Sequence, residues 1–189
     1  MAKFVMPVLP SIETLAALAR EGEDGRFWYR SGRAEIARAA EILAVSAGRL
    51  ADLLSVFSPR VQVRRSIQMT VWYLEHGTTV GVMKGVRAAL AHYEATGEIR
   101  GPKTGPFALA LRGDDTAIVL DVWMARAFGI KHSRITGKRI GEACKCAIRE
   151  VAARLGWTPA EVQAAIWTAT VRAHGKTPAP MGIAEVIGK

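Results

Sequence analysis

Gly101-Pro102-Lys103-Thr104-Gly105-Pro106-Phe107, followed by Ile118-Val119-Leu120-Asp121-Val122-Trp123, is the stretch from which the rest of the chain can be read. A tight Gly/Pro turn leads into a short helix. An apolar run then delivers Asp121, eighteen positions after Lys103, to the head of the next helix. Such an arrangement can hold an amine and a carboxylate in one cleft. It sits among segments whose apolar residues recur at three and four, the period of amphipathic helices. The one apolar run that resembles a strand, Ala117 to Leu120, is too short to imply a sheet, so the expected class is all-α.

The chain has 189 residues, half of them hydrophobic, enough to bury one substantial core. Lysine and arginine outnumber aspartate and glutamate 26 to 17, and the pI is about 10.1. A positive surface of this kind attracts polyanions, nucleic acid first and a membrane surface as the alternative. No apolar run approaches the roughly 20 residues that span a bilayer, and the N-terminus lacks the charge and length of a secretion signal. A soluble, intracellular protein is expected. The two cysteines, Cys144 and Cys146, would point about 200° apart on a helix, so no disulfide is expected between them. Two thiols alone do not complete a zinc or iron-sulfur site, and no metal or cofactor is expected.

Ser11 caps a first helix that ends near Gly22, and Phe27-Trp28-Tyr29 either anchors a helix on the core or stacks on bases. From Arg33 to Phe57 two helical segments are expected, with Gly48 as the weak point between them. Ser58-Pro59 ends the second, and Arg60, Arg64 and Arg65 follow at the start of another helix, where guanidinium groups and free backbone N–H groups suit a phosphate contact or form a solvated basic face. A helix from Thr79 to Tyr93 should turn Val80, Val82, Met83, Val86 and Leu90 inward. Thr104 is expected to cap a helix from Phe107 to Leu111. Thr158-Pro159-Ala160-Glu161 is a capping box with proline in the first helical position, which predicts a helix over Pro159 to Arg172. The expected organisation is one helical domain over residues 1–174 and a loop-like tail over 175–189.

The turn and its acid resemble the signature of the helix-hairpin-helix DNA glycosylase superfamily, which includes endonuclease III and the 8-oxoguanine glycosylases. There a glycine turn with Lys-Thr or Lys-Val precedes an extended Val-Asp-Thr-His or Val-Asp-Val-His segment. Here Gly101-Pro102-Lys103-Thr104 and Leu120-Asp121-Val122-Trp123 stand at the spacing of endonuclease III. Leu54 to Arg60 resembles the family's Leu-Leu-Ser segment before a DNA-facing loop, and Glu161 to Trp167 resembles the last catalytic-domain helix of 8-oxoguanine glycosylases. The likeness runs from about Arg33 to His174 and extends to phage-encoded members acting on modified bases. Two departures stand out: Ile99 occupies a place where the hairpin usually has glycine, and Trp123 replaces the histidine after the acid.

The resemblance implies a bilobed helical fold around a DNA-binding cleft, in a monomer that acts on double-stranded DNA in the cytoplasm, nucleoid-associated or in a host cell. It implies base excision, an oxidised purine favoured, with apurinic-site lyase activity and no metal. Lys103 would be the amine nucleophile and Asp121 its electrostatic partner. Gln163 would read the base edge and Trp167 stack on it, Arg60 would wedge into the duplex, and Arg64, Gly101 and Thr104 would hold the DNA backbone. Each residue also has a plainer reading: Lys103 as a phosphate contact, Asp121 as a helix cap, Gln163 as a surface amide, Trp167 as core. The alternatives for the whole chain are a helix-hairpin-helix DNA-binding protein without chemistry and a phage enzyme acting on hypermodified bases.

Overall fold

A computed structural model describes residues 5–188. Among them the secondary structure is helical throughout: α1 Ile12–Glu21, a 3-10 turn Glu23–Gly25, α2 Trp28–Ile42, α3 Ala47–Phe57, α4 Val63–His76, α5 Lys84–Thr96, α6 Thr104–Arg112, α7 Val122–Ala127, α8 His132–Ile135, α9 Lys138–Leu155, α10 Pro159–Ala173 and α11 Ala184–Ile187. The all-α expectation holds. No helix of the described residues is long and apolar enough to cross a membrane. The chain divides into two compact units. The first is the chain up to Phe27 with Asp115–Pro178; the second is Trp28–Asp114 with the chain from Ala179 onward.

In the first unit α1 and α10 pack closely, and α7 and α9 complete the surround of α10. The contact of α1 with α10 depends on Gly22: a β-carbon there would lie 2.0 Å from the carbonyl oxygen of Ala165. Small residues on the facing helix, Ala165 and Ala169, allow this approach. The core gathers Leu15, Ile118, Leu120, Met124, Phe128 and Ile148, all buried. Burying each large apolar side chain contributes about 1.5–3 kcal/mol before chain entropy is counted. Ala117 to Leu120 runs extended and buried into α7, as the short apolar run implied. The capping box is present in full: Thr158 accepts from the Glu161 N–H at 3.2 Å, and Glu161 accepts from the Thr158 N–H at 2.9 Å.

The two cysteines divide by face, as the helical spacing predicts. Cys144 is buried in α9 and Cys146 is exposed, both as free thiols. Burial pushes the Cys144 thiol up to about 11, so at neutral pH it is neither nucleophile nor ligand. A maleimide titration of the native protein should therefore modify one thiol per chain, and the second only in denaturant. Rapid labelling of both in the folded state would contradict this packing.

The second unit is built around α3, whose residues from Leu50 to Phe57 are all buried. Burial along the whole of this stretch covers every face of the helix, and α2, α4, α5 and α6 each pack on it. The break between α2 and α3 falls at 43–46 and not at Gly48. Ala44 takes a left-handed conformation (φ 52°), and Ser46 caps α3 by accepting from the Arg49 N–H at 3.1 Å. Gly48 lies within the first turn of α3, with open space where a side chain would be. A good cap decides a helix start more strongly than one glycine opposes it.

Two further boundaries differ from expectation. α5 begins at Lys84 and not at Thr79, because Gly81 is left-handed (φ 65°), and Val80 and Met83 are exposed instead of turned inward. α6 begins at Thr104 and not at Phe107, and the Thr104 hydroxyl does not cap it but donates to the Arg100 carbonyl at 2.8 Å. After Gly175 the chain is loop-like through Gly182, but Met181 and Ile183 are buried, and α11 packs on α4 and α2. The Ile183 N–H donates to Glu35 at 2.8 Å and the Trp28 indole N–H to the Ala179 carbonyl at 2.9 Å. Partners so far away in sequence leave no periodicity in the tail itself.

Asp52, 2% exposed, lies at the centre of this unit's polar interior. Its Oδ2 accepts from the Tyr93 hydroxyl at 2.9 Å and pairs with the Arg112 guanidinium. Burial, with Asp52 alongside, pushes the Tyr93 phenol up to about 12. Because the folded protein holds this proton more tightly than the unfolded chain, whose phenol titrates near 10.0, the contribution is complete below that pH and is lost as pH rises towards about 12. The urea midpoint should decline over this window in step with tyrosinate absorbance, and Tyr93→Phe should flatten that part of the decline.

Candidate active site

The segment between α5 and α6 forms a hairpin of two helices. Gly97 ends α5 in the left-handed conformation (φ 72°), with its N–H on the Tyr93 carbonyl at 2.7 Å. Gly101 has φ 131°, and a β-carbon there would lie 2.6 Å from the Thr104 hydroxyl, so glycine is required on both counts. Ile99, the residue that departs from the glycosylase pattern, packs its side chain against the core of the second unit. It therefore anchors the hairpin to α3, α4 and α5 by burial instead of by backbone freedom. Within the turn Glu98 pairs with Arg100 at 3.2 Å.

Lys103 closes this hairpin at the position before α6 and is half-buried. Its Nζ donates to the Ser58 carbonyl at 3.2 Å and lies 5.8 Å from the centroid of the Phe107 ring. Phe107 in turn stacks on Trp28 at 6.2 Å and meets Tyr29 edge-on at 6.3 Å. The Ser58 carbonyl and the Phe107 ring lie beside the lysine, which is not fully solvated, an environment that favours a directed amine. Ser58 brings Lys103 next to the segment that carries Arg60, which is exposed and left-handed (φ 59°). Arginine adopts that conformation at a steric cost, the kind of strain that marks loops with a task. Arg64 is exposed and 3.8 Å from Glu185 of α11. Thr104 is buried: its hydroxyl is committed to Arg100, and its carbonyl accepts from the Ser55 hydroxyl at 2.6 Å. Lys103, Gly101, Thr104, Arg60 and Arg64 all belong to the second unit.

Asp121, Gln163 and Trp167 belong to the first unit. Asp121 is half-buried at the head of α7, where Oδ1 accepts from the N–H groups of Trp123 at 2.9 Å and Met124 at 3.0 Å. It is a helix cap, which by itself accounts for an aspartate there. α7 packs on α10, the helix of Gln163 and Trp167. Gln163 is 3% exposed and so is not the surface amide of its plainer reading, and Trp167 packs partly buried against the first unit's core.

Other residues lie beside these within each unit. Phe107 lies four residues after Lys103, a helical spacing that could have drawn attention to it. Ser55 and Ser58 gave no such signal, because their bonds to the hairpin join distant parts of the chain. Trp123 lies under two cations, Arg126 at 4.3 Å and Lys176 at 5.4 Å, and meets His174 edge-on at 5.7 Å. Among the described residues no cluster of three or more His, Cys, Asp or Glu is arranged to hold a metal ion.

These features define a basic, all-α protein with a glycine-dependent helical hairpin that holds a half-buried lysine. The chain belongs to the family of unknown function DUF7178, whose model matches residues 14–176. No curated protein and no solved structure matches it.

Proposed function

We propose that this protein is a DNA base-excision glycosylase with apurinic-site lyase activity, a helix-hairpin-helix glycosylase-like enzyme of bilobed fold acting on double-stranded DNA. The observation that carries the reading is the setting of Lys103: a half-buried amine on the Ser58 carbonyl beside an aromatic face, at the mouth of a glycine hairpin. The net charge of +9 suits a polyanionic partner.

In this reading the target nucleotide is extruded from the duplex, at a cost of a few kcal/mol that stacking and hydrogen bonding offset. The Lys103 amine attacks the anomeric carbon of the sugar as the N-glycosidic bond breaks. The proton that the amine gives up goes to the departing base. Ring opening, with the second Nζ proton passing to the ring oxygen, then leaves an imine between Nζ and the sugar; loss of a proton from the carbon next to the imine to water expels the 3′ phosphate and breaks the strand on that side. Asp121 carries the negative charge that stabilises the positive charge developing on the sugar. Arg60 would enter the gap left by the base, and Arg64 and the hairpin around Gly101 and Thr104 would hold the backbone. Gln163 and Trp167 would read and stack on the base, an oxidised purine favoured. Because Gln163 is buried, the base must open its own way to that amide.

Borohydride trapping on duplexes carrying damaged bases or an abasic site tests this directly, since reduction converts the imine into a permanent link. A lesion panel then identifies the base. A second reading is favoured by the use of Asp121 as a cap and of the Thr104 hydroxyl within the hairpin: a helix-hairpin-helix DNA-binding protein without chemistry. It predicts salt-sensitive binding and no trapped product.

A further inference from the structure

Separate from Lys103, the second unit carries a groove of about 200 Å³ beside α4. Arg65, Gln68, Met69 and Trp72 line one wall. Their spacing puts them on one stripe of the helix, over about 10 Å of its axis. The segment between α4 and α5 supplies the other wall with Val80 and Val82. Trp72 is 43% exposed and Val80 60%, so a large indole is left open to solvent beside an apolar wall.

The indole is held in one orientation. His76 stacks on it with ring centroids 3.8 Å apart and planes within 10°, and its Nδ1 lies 3.0 Å from the Trp72 carbonyl. Trp72 lines the groove and His76 does not. Arg65 donates to the Gln68 carbonyl oxygen at 3.5 Å, which leaves the amide N–H groups of Gln68 as its donors towards a ligand. None of the lining residues is acidic. The first turns of α4 and α5 add the exposed cations Arg64, Lys84 and Arg87.

We propose that this groove binds an unpaired nucleotide of a single nucleic-acid strand. The base stacks on Trp72, the Gln68 amide donates to its edge, and Arg65 and Lys84 meet the flanking phosphates. An aromatic plate accepts any base, because every base has a π-face, and cations along the helix follow the backbone. An apolar peptide would use Val80 and Trp72 but would gain nothing from the cations, whereas a nucleotide uses both. The proposal goes beyond the glycosylase reading and does not need it, since Lys103 takes no part.

Fluorescence anisotropy of a labelled oligothymidylate separates the possibilities. Trp72→Ala should weaken strand binding about tenfold, and Trp72→Phe should restore most of it. Arg65→Ala should lower the slope of log affinity against log salt by about 0.7. Arg149→Ala, which removes an exposed arginine of α9 that does not line the groove, should bind the strand within twofold of the unaltered protein, whether or not trapping shows the protein to be a glycosylase. Thymidine monophosphate should compete weakly, because it lacks the neighbouring phosphates. Strand affinity within twofold of normal in a folded Trp72→Ala variant would overturn the proposal. So would thymidine monophosphate competing as well as the strand. Trp72-dependent binding of anilinonaphthalene sulfonate with strand affinity unchanged would make the groove an apolar protein-docking face instead.

Discussion

Lys103→Ala is expected to abolish the borohydride-trapped complex and strand cleavage, because the amine proposed to form the imine is gone. Asp121→Asn is expected to lower the rate by about 10²–10³ while leaving the protein folded. The second variant is the more informative. Asparagine caps a helix about as well as aspartate, so the bonds from the Trp123 and Met124 N–H groups should survive while the charge is removed. Asp121→Ala removes cap and charge together and should cost roughly 1 kcal/mol of stability in addition. Single-turnover excision and thermal unfolding, measured on all three variants, separate the cap from the chemistry. If Lys103→Ala and Asp121→Asn bind DNA with undiminished salt sensitivity, and neither they nor the unaltered protein gives trapped product or cleavage, the enzyme reading falls. The hairpin would then be a binding device.

The second large effect concerns the packing of the first unit. Gly22→Ala should destabilise it by about 2–3 kcal/mol. The added methyl would meet the Ala165 carbonyl at 2.0 Å and the Ala169 nitrogen at 2.8 Å, and both belong to the backbone of α10. A backbone cannot swing aside as the end of a side chain can, so α1 and α10 must separate along their contact. Gly48→Ala provides the opposite case. It lies in the first turn of α3 with open space around it, and should stabilise by about 0.5 kcal/mol through helix propensity. Urea unfolding of the two variants should move in opposite directions. A neutral Gly22→Ala would mean that α1 does not approach α10 as closely as described.

The helix ends that were legible were those with local chemistry. Ser11 before Ile12, Gly22 after Glu21 and the box Thr158 to Glu161 each act through atoms within a few residues, so the signal and its effect lie in the same short window. Gly48 and Thr79 misled for the same reason in reverse. A glycine in a helical pattern looks like a break until Ser46 is seen to cap the helix before it, and Val80 looks inward until Gly81 turns the chain.

Of the candidate site, residue types and spacings were readable: an amine after a glycine turn, a carboxylate eighteen positions on, and a glutamine and a tryptophan one helical turn apart. Their surroundings were not. That Gln163 is buried, that Arg64 faces Glu185, and that Trp72 lies open against His76 depend on contacts across the fold.

The sequence by itself determined an all-helical, strongly basic chain, the helix ends that carry their own caps, and a glycine turn before Lys103. These follow from backbone sterics, capping and periodicity, all of which act over a few residues. Only the tertiary structure decided that α3 is enclosed on all sides, that the segment after Gly175 returns to α2 and α4, and that the Lys103 amine reaches the carbonyl of Ser58. Those are pairings over 45 residues or more for the lysine and 148 for Glu35 with Ile183. No local pattern encodes them, because they exist only once burial has brought distant segments together.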